Sequence, residues 1–136
     1  MDAAASRPPR SPVTKPVYRP LPVYEDPTEV ERLLAHGSWE ELMLLSLGVG
    51  WNWPDWKYAQ SVCLRLAEHQ DAAIRANACQ GLSYIAQRCG RLDKRLVRPV
   101  LLRELRTQAE FRWRIEEALA DINHFLHWRI GQRSRG

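Results

Sequence analysis

Residues 71–89 read Asp-Ala-Ala-Ile-Arg-Ala-Asn-Ala-Cys-Gln-Gly-Leu-Ser-Tyr-Ile-Ala-Gln-Arg-Cys, and they constrain the fold more than any other stretch. Asp71 is a helix-capping residue, and Ile74, Ala78, Leu82, Ile85 and Cys89 follow at spacings of three and four. On a helix that spacing makes a single apolar stripe. Ala76, Ala78, Gly81 and Ala86 keep the helix thin enough for a neighbour to approach closely. The pattern returns 37 residues later, with Phe111 for Ile74, Arg112 for Arg75, Ile115 for Ala78, Leu119 for Leu82, Ile122 for Ile85 and Leu126 for Cys89. A repeat of that length built from helix pairs stacks into a solenoid, because one pair cannot bury its apolar face alone. Solenoids offer extended surfaces for binding.

Start and stop signals divide the rest into helices. Asp26-Pro27-Thr28-Glu29 combines a cap, a proline suited to the first turn and a capping-box acid. It predicts a helix over Pro27–Ala35 that buries Val30, Leu33 and Leu34 and ends at Gly37. Ser38-Trp39-Glu40-Glu41 repeats the signal and predicts Trp39–Leu47, stopped by Gly48 and Gly50. These two short helices would cap the first full repeat. Pro54 opens a third helix, to about His69, with Ala59, Val62, Cys63, Leu66 and Ala67 inward. The fourth spans Ala72–Cys89 and ends at Gly90. Asp93 caps the fifth, from Lys94 to about Gln108, which Pro99 should kink or delay. Its inward residues are expected to be Leu96, Val100, Leu101 and Leu105. The sixth runs from about Glu110 to Trp128, with Phe125 beside its stripe. No strand-like alternation occurs. The expected fold is all-α, a short α-solenoid of about six helices in three antiparallel pairs.

Residues 1–22 hold six of the nine prolines and few large apolar residues, so they read as a disordered arm. The helical domain should cover 23–130, and 131–136 should be a short basic tail. Charge is uneven: 1–23 carry four Lys/Arg and one Asp (net +3), 24–70 three Lys/Arg and eight Asp/Glu (net −5), and 71–136 thirteen Lys/Arg and seven Asp/Glu (net +6). Such asymmetry can steer a charged partner, or be a solvated surface. Cys63, Cys79 and Cys89 read as small buried hydrophobes in a reducing compartment. No stretch is apolar enough to span a bilayer or to serve as a signal peptide. The expected location is cytoplasmic, with no membrane partner.

The motif Asp71-x-x-Ile74-Arg75-x-x-Ala78-x-x-x-Leu82-x-x-Ile85 resembles the second helix of a HEAT repeat. It covers residues 54–89, and 94–128 less fully, with Gln108 at the capping place of the second copy. From Val23 to Trp128 the chain is similar to small bacterial HEAT-like proteins that include immunity proteins of polymorphic toxin systems. The stretches that carry this likeness are Val23-Tyr24-Glu25-Asp26-Pro27, Trp56-Lys57-Tyr58-Ala59-Gln60, Arg75-Ala76-Asn77-Ala78, Leu102-Arg103-Glu104-Leu105 and Phe111-Arg112-Trp113-Arg114-Ile115, with Asp121-Ile122-Asn123. The resemblance implies a HEAT-like solenoid that neutralises a cognate toxin domain by binding it.

Trp51, Trp53 and Trp56 cluster before a helix, and tryptophan is favoured at interface hot spots. With Glu40, Glu41 and Asp55 they form the expected partner-binding edge, acidic enough to suit a basic toxin. A purely structural role, wedged between cap and first repeat, is the alternative. Arg75, Arg91, Arg95 and Arg112 are candidates for a basic groove. For Arg75 and Arg112 the structural alternative is a ladder between repeats, with Arg75 reaching Asp71 or a backbone carbonyl. Arg88, Arg91, Lys94, Arg95 and Arg98 are dense enough to suggest nucleic acid as a second class of partner; a solvated helix end is the plainer explanation. His124 and His127, at i and i+3, lack further ligands of suitable spacing, so no metal site is expected. Glu116 and Glu117 diverge around their helix, and no phosphate loop or activated nucleophile is present. The chain is expected to be a binding protein and not an enzyme, with no cofactor and no small-molecule substrate. A generic protein–protein adaptor is the remaining alternative.

Overall fold

The computed structural model describes residues 6–8 and 20–132; most of the Pro-rich arm and the end of the basic tail lie outside the described residues. Six helices follow one another: α1 (Pro27–His36), α2 (Trp39–Asn52), α3 (Trp56–Leu66), α4 (Ala72–Cys89), α5 (Lys94–Thr107) and α6 (Arg112–Leu126). The fold is all-α, and no helix among the described residues is long and apolar enough to cross a membrane.

Most start signals act as read, but Glu29 accepts from the Glu25 backbone N–H instead of closing a capping box with Asp26, and α3 starts at Trp56 and not at Pro54. Asp26 accepts from the Glu29 backbone N–H, and Ser38 with Glu41 closes a reciprocal capping box. Asp55, Asp71 and Asp93 cap α3, α4 and α5 through their carboxylates. Gly90 ends α4 in the left-handed region (φ 65°), where a side chain would be strained. At Gln108, in place of a cap, the structure has the end of α5. Helix α6 starts after Phe111 with no side-chain cap.

Several boundaries differ. Helix α2 does not stop at Gly48 but runs through it and Gly50 to Asn52. These glycines mark close approach. A Cβ on Gly50 would stand 2.5 Å from the Gly81 carbonyl oxygen, and one on Gly81 would stand 2.5 Å from that of Ser46. The thin face of α4 is thus filled by the α2 backbone. Helix α3 ends at Leu66, where Glu68 and His69 donate to carbonyls three residues back and tighten the chain into a turn. Helix α6 is shorter at both ends than expected. Helix α5 begins on time at Lys94 and continues past Pro99. Its buried stripe is Val97, Leu101, Glu104 and Gln108, so Leu96 is 47% exposed instead of inward. Two polar residues inside the stripe disguised its register.

Helix α4 is the centre of the molecule, flanked by α2 on one side and α6 on the other, with α3 packed against both α2 and α4. Asn77 donates to the Met43 carbonyl (2.8 Å) and accepts from Arg114, which aligns the amino-terminal halves of α2, α4 and α6. At the other ends Arg88 of α4 reaches Gly50 and Trp53 at the end of α2, and Gly90 shares a cleft with Leu126 at the end of α6, so the three helices run in the same direction. The core contains Leu45, Val49, Val62, Ile74, Leu82, Ile85, Leu101, Ile115 and Ile122. Cys63 and Cys79 are free and buried within it, and burial pushes both thiols up, that of Cys79 to about 12. Ile130 joins the core after α6, its backbone N–H donating to Asn123 Oδ1 and its carbonyl accepting from Asn123 Nδ2.

Candidate interaction edges

Because α2, α4 and α6 are parallel, the connecting turns fall on two opposite edges. One edge holds the turns α1–α2, α3–α4 and α5–α6. The other holds the turns α2–α3 and α4–α5 and the chain after α6.

At the first edge a buried carboxylate organises three elements. Glu104 on α5 is 1% exposed and accepts from Arg75 Nε (2.8 Å), Arg103 Nε (3.0 Å) and Gln108 Nε2 (3.0 Å). Burial opposes ionisation of Glu104, but these donors outweigh it and hold the carboxyl below its ordinary value. Arg75 also donates to the carbonyls of His69 and Gln70, and Arg103 to that of Ala67 and to Glu68. The carbonyl contacts of Arg75 match one of its two expected roles. Its carboxylate partner is Glu104 and not Asp71, which caps α4. Arg112 pairs with Glu116 and donates to the Leu105 carbonyl. Arg7 reaches the same edge from the arm. It bonds Glu110 at 2.7 Å, lies 3.6 Å from Asp71, and places its guanidinium 5.2 Å from the centre of the Phe111 ring.

The second edge is aromatic and cationic. Trp51 is 43% exposed and meets Tyr84 edge-on, with ring centres 5.4 Å apart. Trp53 is half-buried against Tyr58. Arg88 crosses from α4 to donate to the Gly50 and Trp53 carbonyls, tying α4 to the α2–α3 turn. Arg91 lies over the Trp56 ring and Lys94 over the Trp128 ring. A cleft of about 400 Å³ opens between them, lined by Trp56, Arg91, Leu92, Phe125, His127 and Trp128 among others.

The residues singled out from sequence are thus redistributed. Trp51, Trp53, Asp55 and Trp56 do come together at the second edge. Glu40 and Glu41 stand at the opposite end of α2, about 16 Å away along the helix axis from Trp51. Glu41 is also engaged in its capping box. Arg91 and Arg95 flank the α4–α5 turn, whereas Arg75 and Arg112 belong to the first edge and are bonded there. The four arginines therefore do not line one groove. His124 meets Phe125 edge-on, His127 ends α6 with a left-handed backbone, and no metal-binding cluster occurs among the described residues. Sequence reasoning missed Tyr84 and Trp128. The alternation of helix directions could have placed Trp128 beside Trp56, since both lie at turns of the same parity.

No protein-family model matches this chain, and no curated protein matches it either. Among solved structures it is similar to a chain of a CDI complex from Cupriavidus taiwanensis LMG 19424. The TM-score is 0.70 at 21% identity, over 82% of this chain and 98% of that one. The two chains share a fold. The match takes in nearly all of the other chain, so the helical body described here is what is held in common.

Proposed function

We propose that this chain is an immunity protein, which binds a cognate toxin domain and neutralises it by covering its active site or substrate surface. The observation that carries this reading is the shared fold, over almost the whole length, with a chain crystallised as part of a CDI complex. The resemblance of Val23–Trp128 to HEAT-like immunity proteins points the same way. In this reading the helices form a short HEAT-like solenoid whose edge is the working surface. The protein acts by contact, without catalysis, cofactor or small-molecule substrate.

The aromatic edge is the surface best suited to the contact. Trp51 and Trp56 offer large area there at small cost in side-chain entropy. Glu40 and Glu41 have no part in that surface. The test is titration of the purified protein against the toxin domain encoded beside its gene, read by calorimetry and by toxin activity. Wild type should bind and abolish toxicity. Trp51→Ala with Trp56→Ala should weaken binding about a hundredfold, as for a pair of hot-spot residues, with the helical circular-dichroism spectrum retained. Unchanged affinity in that variant would move the contact to another face. A bound protein partner without toxic activity would make the chain an adaptor.

A further inference from the structure

We infer that the α4–α5 turn and the first two turns of α5 form a docking site for an acidic segment of the protein partner; the inference rests on the reading that the partner is a protein. Arg91, Lys94, Arg95 and Arg98 are exposed and have no carboxylate partner among the described residues; other exposed cations without one, such as Arg32, Arg106 and Arg129, stand apart along the chain, whereas these four fall within eight residues. Two carboxylates of this edge are already engaged, Asp93 capping α5 and Asp55 capping α3. Lys94, Arg95 and Arg98 with Pro99 line a shallow groove of about 360 Å³, and it adjoins the tryptophan cleft through Lys94.

The arrangement opposes the fold's own electrostatics. Lys94 and Arg95 occupy the first turn of α5, where the helix dipole disfavours positive charge. Four like charges also crowd into eight residues. The Asp93 cap and the indole rings under Arg91 and Lys94 relieve this only in part, and an external anion would complete it. Leu96 lies exposed in the same turn and adds an apolar contact point. The ligand that fits is a peptide segment with several carboxylates and an apolar side chain among them.

Two observations favour carboxylates over phosphates of nucleic acid. Sequence-tolerant binding of single strands uses open aromatic faces on which bases stack. Here Arg91 and Lys94 lie over the Trp56 and Trp128 rings, at 5.6 Å and 5.5 Å from the ring centres, and each covers one face of its ring. The cations also cover only one turn and two turns of helix, a short footprint for a polyphosphate backbone.

The experiment uses the full chain and two fluorescent probes, a peptide of repeated Asp-Glu-Leu units and a short single-stranded oligothymidylate. Binding is read by anisotropy at low and physiological salt. Arg91→Ala with Lys94→Ala should weaken peptide binding about tenfold. Arg32→Ala with Arg106→Ala, which removes the same charge from exposed positions elsewhere, should leave it within about twofold. Equal loss in both double variants would reduce the effect to net charge and overturn the site. So would absence of peptide binding, or tighter binding of the oligothymidylate that is lost in the Arg91/Lys94 variant. The toxin domain separates the two readings. If the Arg91/Lys94 variant loses the peptide but holds the toxin unchanged, this inference fails and the immunity reading survives. If the peptide behaves as expected but no toxin binds wild type, the immunity reading fails and the acidic-segment site stands.

Discussion

Arginines at the two edges of this molecule meet different partners. At the edge of the α3–α4 and α5–α6 turns, Arg75 and Arg103 converge on buried Glu104, Arg112 takes Glu116, and Arg7 lies between Glu110 and Asp71. At the edge of the α2–α3 and α4–α5 turns, Arg88 finds backbone carbonyls, and Arg91 and Lys94 rest on indole rings. The first set is consumed in holding helices together. The second retains most of its charge for a partner. Similar side chains at the two edges thus divide between scaffold and surface, according to whether a carboxylate or a backbone carbonyl lies within reach.

The largest effect that would test this contrast is at Glu104. Glu104→Ala should lower stability by about 3 kcal/mol, the scale for breaking a buried ion pair and stranding its cations, read as a fall in the urea midpoint. A loss no larger than that of an exposed alanine substitution would erase the distinction between the edges. Acid should act through the same carboxyl. Its folded pKa is lowered from the ordinary value of 4.5, so its contribution is fully present above that value and is lost as pH falls through the folded one. Urea midpoints should therefore decline on acidification, and the decline should be shallower in Glu104→Gln.

Arg88→Ala comes next. It removes two bonds from a charged donor to backbone carbonyls and should cost about 1–2 kcal/mol, although the residue stands among cations that are otherwise free. That result would sharpen the comparison by moving Arg88 to the scaffold. The smallest effect should come from Lys94→Ala and Arg95→Ala. Relief from the α5 dipole offsets the lost contact over Trp128, so each should change stability by less than about 0.5 kcal/mol. Thermal unfolding of the two variants against wild type would check it. A loss as large as that of Glu104→Ala would show that the second edge is structural too.

Local signals were legible wherever one residue and its neighbours carry the physics. The caps at Asp26, Ser38, Asp71 and Asp93 and the left-handed stop at Gly90 needed no knowledge of the rest of the chain. Gly48 and Gly50 misled because glycine serves two purposes, ending a helix and letting another segment approach, and only the positions of Pro22 and Tyr24 against Gly48 and of α4 against Gly50 select between them. In α5, Leu101 is buried and Val100 and Leu105 pack against the core as expected, but Leu96 was misplaced and Val97 missed because Glu104 and Gln108 are polar yet buried. Their burial depends on partners from another place in the chain, Arg75 for Glu104 and the Ala72 carbonyl for Gln108. The candidate site was half legible. The tryptophan turn and the basic α4–α5 turn were each visible as runs of sequence, but as separate proposals.

What the chain determined by itself is its set of helices: their number, most of their starts, and the apolar stripes that bury α4 between its neighbours. Caps and periodicity act within a few residues, so they can be read without coordinates. What only the tertiary structure decided is which charges are spent and which remain. Ion pairing depends on distances between residues some thirty positions apart, as for Arg75 and Glu104, and on which end of a helix faces which edge. That parity joined Trp56, Arg91 and Trp128 in one cleft and sent Glu40 and Glu41 to the far end of α2.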